Sequence, residues 1–171
     1  DESTAFSPWL LGGLQDNGGH AYSSSSWKNY YGADGMDTAV DPTNSNIYYG
    51  FIQFGGGLYI SNNAGESVGT GVSAPATETG TNDDGGNWVT PLMMNNSGDL
   101  FAGYNRLYKL NTCTFTWDVQ SNTTIGSGDV EQIAVAPNND NIMFVSNGNQ
   151  LYKSIDKGIN FSLAYTAPST I

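Results

Sequence analysis

Positive charge is scarce in this chain. Lys28, Arg106, Lys109, Lys153 and Lys157 stand against 16 acidic residues, giving a formal net charge of −11. The five are scattered, so no basic patch can neutralise a phosphate backbone, and the acidic surface repels nucleic acid and anionic lipid alike. Nucleic acid is therefore excluded as a partner. Cysteine is nearly absent: Cys113 is the only one, which rules out an intrachain disulfide and suggests a small buried hydrophobe. Histidine is as rare. His20, in GGHAYSSSS, is expected in an exposed loop, and one imidazole with one thiol leaves a nucleophilic triad or a zinc site short of groups. No apolar run is long enough to cross a bilayer, so no membrane insertion is expected. No signal-peptide pattern opens at Asp1, and DESTAF reads like the start of a mature or excised fragment.

Turn and strand formers are plentiful. The chain carries 22 glycines and ten tyrosines with many serines, threonines and asparagines, a mixture suited to short strands joined by many turns. Long amphipathic helices need more Ala, Leu, Glu and Lys than this. The composition reads as an all-β protein of single-domain size, extracellular in character, with hydrophobic content sufficient for a core.

Three segments repeat one another: AVDPTNSNIYYGFIQFGGGLYISNNAGES from Ala39, LMMNNSGDLFAGYNRLYKLNTCTFTW from Leu92, and AVAPNNDNIMFVSNGNQLYKSIDKGINF from Ala134. Each holds an apolar run, a polar turn, a second apolar run, a loop and a Leu-Tyr strand. A period of roughly 40 to 50 residues with several short strands per unit is that of a β-propeller blade. The reading is three blade-like units over about 32–67, 87–117 and 129–161, with an inter-blade insertion at about 66–86. Antiparallel strands in sequential order are expected within 39–61, 92–110 and 133–154. Three blades do not close a ring, so the propeller is incomplete and its partners are further blades of the same protein or neighbouring chains.

The last Leu-Tyr strand runs into SIDKGINF, Ser154 to Phe161, and the first into SNNAGES, where Asn63 takes the place of Asp156 and Gly65 that of Gly158. SIDKGINF resembles the Asp-box, SxDxGxxW with Phe allowed at the end, of sialidase-like and sortilin-type β-propellers. LQDNGG at Leu14, GADG at Gly32 and VDPTNSNIYYG at Val40 resemble a bacterial secreted branch of that superfamily. The resemblance spans about Trp9 to Phe161 and implies a structural role for Ser154, Asp156, Gly158 and Phe161, as a hairpin turn between a blade's outer strands. The second unit, reading LNTCTFTW, keeps only the aromatic, Trp117. TNDDGGNW, Thr81 to Trp88, has the box spacing but the wrong phase, and reads as a loop whose Trp88 opens the next strand.

Sialidases of the superfamily hold a sialic acid carboxylate with an arginine cluster, and one arginine excludes that chemistry here. Xyloglucanase-type glycosidases of related fold use paired carboxylates across a cleft, for which Asp16, Asp34, Asp37 and Asp129 are the candidates, each read as lying in a Gly-flanked loop. The competing reading makes each a cap of its own turn. Asp83 and Asp84, with Asn82 and Asn87, could hold calcium but match no EF-hand loop, so a solvated acidic turn is preferred and neither metal nor cofactor is expected. Trp27, Tyr30 and Tyr31 are the binding candidates, flat rings able to stack on a sugar or a protein, with packing between strands as the alternative. Asp37-Thr38-Ala39 resembles a short bacterial O-glycosylation motif. The expected function is a non-catalytic binding or structural module at a bacterial cell surface or outside the cell, with a glycan as a possible ligand. The alternatives are a segment of a xyloglucanase-type glycoside hydrolase and a subunit of an extracellular filament or surface complex.

Overall fold

The computed structural model describes residues 10–23, 26–78 and 85–169. They form four antiparallel sheets, each with its strands in sequence order. The first contains β1 (Leu10–Leu14), β2 (Gly18–Ser23) and β3 (Ser26–Tyr31). The second contains β4 (Gly35–Val40), β5 (Tyr48–Ile52), β6 (Gly57–Ser61) and β7 (Thr70–Ser73). The third holds β8 (Leu92–Met94), β9 (Leu100–Gly103), β10 (Leu107–Asn111) and β11 (Thr116–Val119). The fourth holds β12 (Gln132–Ala136), β13 (Asn139–Asn147), β14 (Gln150–Ser154) and β15 (Ser162–Thr166). First strands meet in succession, β4 against β8 and β8 against β12, while β1 lies against β4. The sheets thus stand side by side as propeller blades.

Alternation along each strand explains why the middle sheets are apolar on both faces. Leu58 and Ile60 join one core layer while Tyr59, between them, joins another. In β9, Leu100 and Ala102 turn to the second sheet and Phe101 to the fourth. One core layer therefore lies between each pair of neighbouring sheets. Side chains such as Phe51, Leu58 and Leu107, fully buried there, contribute on the order of 2 kcal/mol each.

The hairpins between first and second strands are closed by side chains. Asp41 Oδ1 accepts the Thr43 N–H and the Thr43 hydroxyl, both at 2.7 Å, and Asn95 Oδ1 accepts the N–H groups of Ser97 and Asp99. Such side-chain bonds satisfy turn backbone that no ladder reaches.

Several expectations are revised. The strands β1, β2 and β3, outside the three repeats, form a sheet of their own, which the sequence does not signal because these Gly- and Ser-rich strands carry no Leu-Tyr pair. The stretch read as an insertion contains β7, whose Val72 pairs with Leu58 and completes the second sheet. Trp88 does not open a strand: its carbonyl accepts from the Phe54 N–H, its ring meets Phe54 edge-on at 5.0 Å, and the next strand starts at Leu92 after Pro91. Cys113 is exposed in the β10–β11 turn, where Asn111 Oδ1 accepts its N–H. His20 lies in β2, half-buried, paired with Gly12 and Asn29 instead of standing in a loop.

Candidate functional site

The turn that follows β14 closes on itself. Ser154 Oγ, buried, donates to Asp156 Oδ1 at 2.7 Å and accepts the N–H groups of Asp156 and Gly158. Asp156 in turn accepts from the Asn160 N–H and side-chain amide. Those donors, the Asn160 backbone first, hold the Asp156 carboxyl below its ordinary range. Gly158 sits at φ 81°, a conformation that a Cβ strains. Phe161 packs half-buried against the layer between the third and fourth sheets. After β6 the same geometry recurs, with Ser61 Oγ donating to Asn63 Oδ1 and accepting the Gly65 N–H, and Gly65 at φ 80°. Both turns rest on the preceding sheet. A Cβ on Gly65 would collide with Ala21 Cβ of β2, and one on Gly158 with Leu107 of β10. Lys28 of β3 pairs with Glu66, and the Asn122 N–H donates to the Ile159 carbonyl.

The four aspartates meet different fates. Asp34 Oδ1 accepts the Asp16 N–H at 2.6 Å, and Gln53 holds Asp34 through both main-chain groups, so the loops of Asp16 and Asp34 are joined. Asp37 lies inside β4 and not in a loop, and it uses both oxygens on backbone, Oδ1 on the Thr38 N–H and Oδ2 on the Leu92 N–H, which clips the second sheet to the third. Asp37-Thr38-Ala39 is accordingly a half-buried strand segment. Asp129 is half-buried, and burial raises its carboxyl. Asp83 and Asp84 lie outside the described residues, and among those described no cluster of His, Cys, Asp and Glu suits a metal ion.

Glu78, overlooked in the sequence, stands near Asp129. Only 8% exposed, it accepts a 2.5 Å hydrogen bond from the Tyr108 hydroxyl, which also pairs with Thr77 Oγ1 at 2.8 Å. Burial raises the Glu78 carboxyl, the Asp129 charge adds to this, and the Tyr108 bond and Arg106 charge oppose it. The Tyr108 phenol is correspondingly pushed up to about 12, by burial first and then by Glu78. A single Glu in a Gly- and Thr-rich stretch carries no motif that could have revealed this. Around the pair the connecting loops are tied together: Tyr104 Oη donates to the Gly55 carbonyl, the Val130 N–H to the Tyr104 carbonyl, and Asn147 Nδ2 to three carbonyls between Ile125 and Asp129.

The aromatic candidates separate. Tyr30 and Tyr31 are each 5% exposed and belong to the layer between the first two sheets, where Tyr31 stacks on Tyr59 at 5.1 Å and donates to the Phe51 carbonyl. Burial raises both phenols. They are core: Tyr31 pairs with Gly19 and Asn29 with His20, a register shift that leaves Tyr30 between them, and the two rings meet edge-on at 4.8 Å in one layer with Tyr48 and Tyr59. Trp27 is 56% exposed and, with Leu11, Gly12, Leu14 and His20, lines a hollow of about 340 Å³ on the first sheet.

Side-by-side antiparallel sheets, one of three strands and three of four, with serine-closed turns define the class: blade-like units of β-propeller architecture. No protein-family model and no curated protein sequence matches the chain. Solved structures do. A GH74 enzyme of Niastella koreensis superposes over 90% of this chain with a TM-score of 0.63 at 17% identity, and the match covers 27% of that enzyme. The GH74 xyloglucanase from Xanthomonas campestris superposes over 91% with a TM-score of 0.62 at 17% identity, covering 28% of its length. U3-55K superposes over 80% with a TM-score of 0.60 at 8% identity, covering 40% of that chain. At such identities the likeness is one of fold. The chain spans about a quarter to two fifths of the proteins it resembles.

Proposed function

We propose that the chain is a non-catalytic binding or structural module, a segment of a larger Asp-box propeller belonging to a secreted or cell-surface bacterial protein. One observation carries the reading: the stack is built like a propeller interior yet ends in uncovered apolar faces. Leu10, Leu14 and Trp27 are exposed on the first sheet and Tyr165 on the last, whereas Phe51, Leu58, Leu100 and Phe101 of the middle sheets are buried. Further blades are the partners that fit those faces. The placement of Asp34 and Asp37 supports a non-catalytic role, since each holds main-chain N–H groups. Incubation of the chain with xyloglucan and with a sialyl-oligosaccharide, followed by product chromatography, is expected to show no turnover. Turnover that is lost in Asp129→Asn would overturn the reading.

A glycoside hydrolase segment is the second reading, supported by the Glu78 and Asp129 carboxyls, both raised and close enough to feel one another, and by the fold shared with GH74 enzymes. It requires the remaining blades to supply a facing surface. A purified chain eluting as a defined oligomer would instead favour the subunit of a surface assembly.

A further inference from the structure

The rim of the molecule carries a groove that none of the roles above uses. It lies between β7 and β11, each the outermost strand of its sheet, and has a volume of about 420 Å³. One wall is continuous main chain, from Gly71 through Val72, Ser73 and Ala74 to Pro75 and beyond. The other wall is aromatic. Phe115, 42% exposed, is fixed at φ 54° by its N–H bond to the Asn111 carbonyl at 2.8 Å, and Trp117 follows two residues later, its inner side against Phe51 at 5.8 Å. Among the described residues β7 pairs with β6 alone, so its outer edge offers unpaired main-chain groups. The Trp117 indole Nε1 is buried and has no hydrogen-bond partner. No charged residue lines the groove, although the chain as a whole carries a net charge of −11.

We propose that this groove binds an extended, uncharged peptide segment, which adds to the β7 edge as a fifth strand of the second sheet and lays alternate apolar side chains against Phe115 and Trp117. The proposal rests on the binding-module reading and names its ligand class. Each wall has its part. A strand edge selects an extended backbone by its hydrogen bonds, and the facing aromatic wall selects side chains at every second position. The neutral lining within an acidic surface excludes a negatively charged segment.

The test uses the whole chain and a synthetic peptide, acetyl-Thr-Val-Thr-Tyr-Thr-Val-Thr-amide, measured by calorimetric titration and by amide hydrogen exchange. The peptide is expected to bind and to protect amides of β7. A version N-methylated at alternate residues, and one with glutamate replacing valine, should each bind at least tenfold more weakly. Phe115→Ala, an exposed site that leaves the core intact, should weaken binding about tenfold, Trp117→Phe severalfold, and Trp27→Ala not at all. Equal affinity for the N-methylated peptide, protection at β1 or β15 in place of β7, absence of binding, or a cello-oligosaccharide binding in the groove with loss on Phe115→Ala would each overturn the proposal. Turnover of xyloglucan in a parallel incubation would overturn the module reading separately, so the two failures are distinguishable.

Discussion

Asp156 and Glu78 are acids of opposite sign in their effect on stability. The Asp156 carboxyl is depressed by donors that act on its charged form, so its contribution is present above the unfolded pKa and lost as pH falls through the lower folded value. Asp156→Ala should therefore melt below the parent at pH 7, with the gap closing as pH falls below about 4. Glu78 is the reverse. Its folded pKa is raised, so the native state binds more protons than the unfolded chain, and stability declines as pH rises from the unfolded value through the folded one. Glu78→Gln keeps an acceptor for Tyr108 and removes the buried charge. Melting curves should show it above the parent at pH 7.5 and level with it near pH 4. A lower melting temperature at pH 7.5 would mean that the Tyr108 bond needs the full carboxylate.

At the scale of elements, the serine-closed turns are seats between sheets. Gly65→Ala meets both a positive φ and Ala21 Cβ, which is fixed to the β2 backbone, so a loss of roughly 2 to 4 kcal/mol is expected from denaturant curves. Ala21→Gly should recover part of that loss in a double-mutant cycle. Gly158→Ala should cost less, because the atom it meets is the tip of the Leu107 side chain. How far the sequence disclosed such features depends on whether they repeat. The Leu-Tyr pairs marked β6, β10 and β14, and their alternation with turn residues disclosed all-β blades. β7, reading TGVS, escaped notice because Gly and Ser in an outer strand look like loop. Tyr30 and Tyr31 looked like a binding face because adjacent aromatics in one strand cannot both be assigned a side until the neighbouring sheets are placed. The Glu78–Tyr108 contact joins residues 30 apart in sequence and leaves no local trace.

The whole molecule has two apolar ends and a strongly acidic surface, and these act against each other in solution. Hydrophobic faces favour association, while a net charge of −11 opposes it at low ionic strength. Sedimentation velocity should show monomer at 20 mM salt and growing self-association at 500 mM, where the charges are screened to within a few ångströms. Trp27→Lys combined with Tyr165→Lys should reduce that growth if the end faces carry it. Association unchanged by both substitutions would place the contact elsewhere.

The seats beneath Gly65 and Gly158 also give the structure a direction in time. Each such turn leans back on the sheet made before it, never on the one after, so a chain emerging from the amino end finds its support already in place. Removing the first sheet takes away the ground under the Gly65 turn. Removing the fourth leaves the Gly65 turn on its seat, although it frees Asn96 and Ser97 of the β8–β9 turn from Pro137 and Asp140 and uncovers Phe101 and Leu107. That polarity favours the second and fourth sheets docking, during synthesis, on the first and third already in place.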